Sequence, residues 1–179
     1  MNSKDIEPNN PMINSKPSII DVANWFLSKK EMPYKRVSAL CYLAQCHHIG
    51  YDDSSIPLFN DDFEAHVGRP TSVALLRLAE KNNYNFPVYT AELFGFTEDQ
   101  LETLEMVWNS FGRLEEYDLD IASHDECFEL VRSRYKILEP CTDIIPKDLI
   151  DAVYKYKIAC MNLPEYEKYA QKLQEYTKS

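Results

Sequence analysis

Four groups of side chains in this sequence are of types that do chemistry. His47 and His48 are adjacent, and Cys41 and Cys46 lie five apart on the same stretch. Successive residues on a helix point about 100° apart, so the two histidines cannot grip one ion from one face. Zinc sites gather convergent pairs such as C-x-x-C or H-x-x-x-H, and neither spacing occurs. His48 therefore reads as a core or interface histidine, with His47 nearer the surface. His124 and Cys127 stand at i, i+3, where a base can meet a thiol. A nucleophile pair also needs a third group to orient the base. Asp125 and Glu126 are close in sequence without being obviously placed for it, and a capping or buried role for His124 is the simpler reading. Asp61, Asp62 and Glu64 form an acidic cluster, with His66 two residues on. General acid–base work asks for carboxyls in different environments across a cleft. Three on one short segment read as a solvated turn or as an acidic edge facing a partner. Gly68-Arg69-Pro70-Thr71 precedes a helix but lacks the glycine-rich loop and lysine of a phosphate site, so it reads as a turn. No catalytic residue, metal ligand or cofactor is expected from these groups.

The elements that must position these residues are mostly helical. Ser18 with Asp21 makes a variant capping box, followed by Ile19, Val22, Ala23, Phe26 and Leu27 on one face. Pro33 suits the first turn of a second helix. Val37, Leu40, Cys41, Ala44 and His48 form its stripe, widened by Tyr42, Leu43 and Cys46. A helix apolar nearly all round is expected at the centre, with Gly50 as its stop. Residues 59–67 fit a short strand or a helical turn equally. Thr71 is read as the cap of a third helix through Leu75, Leu78 and Ala79, and 85–94 as loop or extended chain. Thr97 and Gln100 make a capping box for a helix carrying Leu101, Leu104, Val107, Trp108 and Phe111, ended by Gly112. A short acidic segment over 114–121 follows. Ser123 is read as the cap of a helix with Cys127, Phe128, Val131 and Tyr135. Pro146 and Pro164 open two more. Trp25, Trp108 and the tyrosines read mostly as packing residues. The expected class is all-α: an irregular bundle of about seven helices, with an extended segment near 57–67 as the exception. The expected organisation is a disordered or loosely docked arm over 1–16, a helical domain over 17–158, and a helical extension over 159–179. The tyrosines of that extension fit docking on the body or on a second copy, so a homo-oligomer is an open expectation.

Composition narrows the function classes. The 179 residues carry a net charge of −10, with 19 basic against 29 acidic side chains. Such a chain repels the phosphates that supply most nucleic-acid affinity, and it suits steering toward a basic protein partner. Only four glycines argue against a fold of many hairpins. Five cysteines without framework spacing read as reduced thiols of a cytosolic protein. No apolar leader and no membrane-length apolar run is expected to direct the chain to a membrane.

The order of segments resembles the Panacea domain family, which includes the SocA antitoxins and the phage-associated GepA proteins. The likeness is carried by Ile20-Asp21-Val22-Ala23-Asn24-Trp25-Phe26-Leu27 and by Leu40-Cys41-Tyr42-Leu43-Ala44-Gln45 with His48 following. Pro57-Leu58-Phe59, then Phe63-Glu64-Ala65 leading to Gly68 and Pro70, continue it. Leu104-Glu105-Met106-Val107-Trp108 with Phe111-Gly112, and Ser123-His124 where members usually carry Thr-His, complete it. It spans roughly residues 18–157. Arg69 splits the family's Gly-Pro, His66 replaces a tryptophan, and Cys127-Phe128 replaces Pro-Trp. The resemblance implies a cytoplasmic, non-enzymatic antitoxin that neutralises a cognate toxin, directly or as an adaptor delivering it to a protease. It implies structural roles for the motif residues Leu40, Tyr42, Ala44, Gln45, His48, Phe63, Glu64, Gly68, Pro70, Trp108, Gly112 and His124. Partner contact is then expected on variable surface, and acidity places it at Asp61, Asp62, Glu64 and His66. The alternative is a phage- or mobile-element-associated interaction protein or effector on the same scaffold, without antitoxin activity.

Overall fold

A computed structural model describes residues 16–51, 55–86 and 95–160. The element order is α1 (Ile19–Lys29), β1 (Met32–Pro33), α2 (Tyr34–Tyr51), β2 (Glu64–His66), β3 (Arg69–Thr71), α3 (Val73–Lys81), β4 (Asn85–Phe86), α4 (Glu98–Phe111), α5 (Glu116–Ser123), α6 (Glu126–Arg132) and α7 (Lys147–Ala159). The seven helices of the described residues match the expected number. The class is mostly helical rather than strictly all-α, because β2 and β3 form an antiparallel hairpin and β1 pairs with β4.

The core is built around α2. Val37, Leu40, Cys41, Tyr42, Ala44 and Cys46 are fully buried, so no face of the helix is left for solvent along most of its length. Helices α1, α4, α5 and α7 all pack on it. Gly50 marks the closest approach. A Cβ there would fall 2.5 Å from Tyr154 Cβ on α7, so only glycine lets the two backbones meet. The helix runs on to Tyr51, and Gly50 is therefore a packing residue rather than the expected stop.

Helix starts follow local side-chain chemistry. The Ser18/Asp21 and Thr97/Gln100 capping boxes both form. Two caps lie elsewhere than expected. Thr71 ends β3, and the Ser72 hydroxyl accepts from Leu75 N. Asp125 caps α6 by accepting from Phe128 N, while the Ser123 hydroxyl donates to the Asp120 carbonyl. Pro33 sits in β1, one residue before α2. The 1–16 arm apart from Lys16, most of 85–94, and the extension beyond Cys160 with its Pro164 helix lie outside the described residues.

Candidate interaction surface

The segment that carries the acidic cluster becomes a small sheet clamped to the helical body. Val67 and Gly68 turn β2 into β3 with Glu64 opposite Thr71, Ala65 opposite Pro70 and His66 opposite Arg69. Gly68 has φ +87°, and open space surrounds the position of a Cβ there. Its constraint is therefore backbone conformation, which glycine adopts at no steric cost. On the other edge of β2, Ala65 N donates to the Asp143 carbonyl at 2.8 Å and Ile145 N to the Phe63 carbonyl at 2.8 Å. Residues 143–145 thus act as a third strand, and Glu64 pairs with Ile144.

Alternation along β2 decides what faces out. Ala65 is buried while Glu64 and His66 stand on the opposite face. Their side chains meet there, His66 Nε2 lying 2.6 Å from Glu64 Oε2. The other two acids of the cluster hold the fold. Asp61 Oδ2 accepts from Ile19 N at 3.1 Å, at the N-terminus of α1, where a carboxylate is favoured by the helix dipole. Asp62 pairs with Lys147, whose ammonium also donates to the Asn60 carbonyl at 2.8 Å. The cluster therefore divides: Asp61 and Asp62 tie the loop to α1 and α7, and Glu64 with His66 form the outward polar pair.

The residues that carry the family resemblance each have a structural partner. Gln45 Nε2 donates to the Phe59 carbonyl at 3.0 Å and its Oε1 accepts from Phe59 N at 3.3 Å, so the amide stands in for a strand beside the buried loop. Tyr42 packs edge-on to Phe63 at 5.2 Å. Leu40, Ala44 and Pro70 are buried. His48 Nδ1 lies 2.9 Å from the Thr103 hydroxyl, which itself donates to the Asp99 carbonyl, so His48 is the donor to Thr103. A Cβ on Gly112 would come within 2.5 Å of Trp108, and Arg36 donates to the Gly112 carbonyl at 2.7 Å. His124 Nε2 donates to the Gly68 carbonyl at 2.5 Å while its ring stacks on Phe128, centroids 4.8 Å apart. That bond fastens the hairpin turn to the start of α6, and Arg69 reaches toward Asp120 on α5 at 3.9 Å.

Beneath this surface lies a polar group that sequence spacing did not place. Asp125 is buried and accepts from the Tyr42 hydroxyl at 2.8 Å, the Tyr154 hydroxyl at 2.7 Å and Phe128 N at 3.1 Å. Burial pushes its carboxyl pKa up, and the three donors oppose that shift. Cys127 and Cys46 are fully buried, and burial, reinforced by Asp125, raises both thiols well above their ordinary value. Nucleophilic attack needs a thiolate, so Cys127 is held as a packing residue. His47 is mostly buried among Tyr51, Phe111 and Tyr154, and burial first, with Lys157 adding to it, lowers its pKa to about 4. All five cysteines are free, and no His, Cys, Asp or Glu group among the described residues could hold a metal. Asp151 and Lys155 form a second unanticipated group, with Lys155 Nζ 2.7 Å from Asp151 and Ser55 Oγ donating to the same carboxylate at 2.8 Å. No helix of the described residues is long and apolar enough to cross a membrane. The i, i+4 spacing of Asp151 and Lys155 was the available signal for that pair; nothing local pointed to Asp125, whose donors come from helices far off in sequence. Compared with known proteins, the chain matches no family model, no curated protein and no solved structure.

Proposed function

We propose that this chain is a protein-binding antitoxin of the Panacea-like class, which neutralises a toxin by contact or hands it to a protease. The observation that supports the reading is the division of labour around the hairpin. Its inner residues, turn and edge are bonded to α1, α6, α7 and the 143–145 strand, while Glu64 and His66 stand outward on a fixed platform. A preorganised polar face lowers the ordering cost of association. On a chain of net charge −10 it suits a partner with a basic surface. The ordered sequence segments add the class, since four of the residues that carry the likeness, Phe63, Gly68, Pro70 and His124, build or fasten this platform.

The test is growth rescue. The product of the adjacent gene, expressed alone in a heterologous host, is expected to arrest growth, and co-expression of this chain is expected to restore it. Arrest that this chain does not relieve would overturn the antitoxin reading. A harmless neighbour that nonetheless co-purifies with the chain would favour the interaction-protein alternative.

A further inference from the structure

Residues 143–145 pair with β2 on one side only. Ala65 N and Ile145 N make the two bonds of that pairing, to the Asp143 and Phe63 carbonyls, and they frame Glu64 and Ile144 as a directly opposed pair. In an antiparallel ladder, the residues of such a pair turn their own N–H and C=O to the far side. For Glu64 the far side is β3, where it stands opposite Thr71. Ile144 has no strand beyond it. Its N–H and C=O make no backbone hydrogen bond among the described residues, and it is 50% exposed. An open edge of this kind is a template for one more strand.

The space beside the edge is shaped for side chains. A groove of about 460 Å³ lies against it, walled by Leu130 and Val131 of α6 and by Pro146 and Leu149 at the start of α7. Asp143 and Arg134 supply its charges. The Tyr135 hydroxyl donates to Asp143, whereas Arg134 has no ion pair among the described residues. We propose that this edge and groove bind an extended peptide segment of a partner protein, which adds antiparallel to residues 143–145 and sets a carboxylate on Arg134. The backbone selects the extended form, since one strand residue opposite Ile144 satisfies both its N–H and its C=O. The antiparallel sense continues that of the sheet. Alternation selects the side chains. Ile144 shares the face of Glu64, so the peptide residue opposite it points outward and its two neighbours point into the groove. One neighbour meets the apolar wall, and the other meets Arg134, whose planar fork suits a carboxylate. The recognised pattern is therefore an aliphatic residue and an Asp or Glu two positions apart.

The proposal does not depend on the toxin reading, because Glu64 and His66 do not line the groove. A phage-displayed library of random dodecapeptides, panned on the full-length chain, tests it. Enriched peptides should share the aliphatic and acidic spacing and bind as synthetic peptides with a Kd of roughly 1–100 µM. Arg134 is exposed, so Arg134→Glu should leave the melting temperature unchanged while weakening binding about tenfold or more. Methylating the backbone nitrogen of the peptide residue between the two anchors should weaken it as much, because that N–H faces the Ile144 carbonyl. Amide exchange at Ile144 should be fast in the free chain and slow about tenfold or more under saturating peptide. A library without the pattern, or binding that Arg134→Glu or the methylated backbone leaves intact, would overturn the proposal. So would an Ile144 amide already protected in the free chain, since a second copy or another stretch of this chain would then cover the edge.

Discussion

Asp125 shows how a side chain can be central without being catalytic. Its carboxylate collects two tyrosine hydroxyls and a backbone amide from α2, α7 and α6. Removing it leaves those donors buried without an acceptor, at roughly 1–3 kcal/mol for each unsatisfied group. Asp125→Ala is therefore expected to lower stability by about 3 kcal/mol in urea unfolding. Asp125→Asn should lower it by only about 1 kcal/mol, since it keeps one acceptor oxygen and sheds a desolvated charge. His47 makes a second prediction. Its pKa is about 4 in the folded chain and returns to 6.5 on unfolding. A lowered folded value favours the neutral ring, so the stability it contributes is fully present above pH 6.5 and is lost as pH falls toward 4. Linkage over that shift amounts to at most about 3 kcal/mol. Asp125, with a raised carboxyl pKa, pulls the opposite way as pH rises through its titration range. The comparison is therefore between the wild type and His47→Phe, which keeps the aromatic packing. Chemical unfolding between pH 7 and 4 should show a shallower decline for the variant.

Among the elements, those defined by nearby residues were readable from sequence and those defined by distant ones were not. The capping boxes of α1 and α4 join residues three apart, and the apolar circumference of α2 is visible within its own 18 residues. The hairpin is ambiguous in sequence because its signals are a single glycine at Gly68 and an edge partner near Ile144, eighty residues away. The misplaced caps have a related cause: Thr71 and Ser72 are both competent, as are Ser123 and Asp125, and the neighbouring strand or turn decides between them. Gly50 reads as a helix stop in sequence because the α7 residue that requires it, Tyr154, comes about a hundred positions later. Gly50→Ala tests that account. At an unhindered helical site the change would stabilise by about 1 kcal/mol. With Tyr154 Cβ in the way, α2 and α7 must part, and a loss of about 2 kcal/mol is expected. A shift of the urea midpoint to higher concentration would contradict the packing assignment.

On the scale of the whole molecule, the same division appears in the candidate site. In sequence the acidic segment reads as a solvated turn or a partner-facing edge, and sequence cannot separate its anchoring acids from its outward ones. Asp61 and Asp62 are fixed by Ile19 and Lys147, which lie on helices at opposite ends of the chain. Glu64 and His66 remain outward because strand alternation points them away from Ala65. The most direct measurement is a calorimetric titration of this chain with the purified product of the adjacent gene, beside a Glu64→Lys variant of unchanged melting temperature. Saturable binding by the wild type, weakened about tenfold or more in the variant, is the predicted result. No heat of binding with the wild type, or equal affinity for both chains, would contradict a protein-binding role centred on the hairpin face.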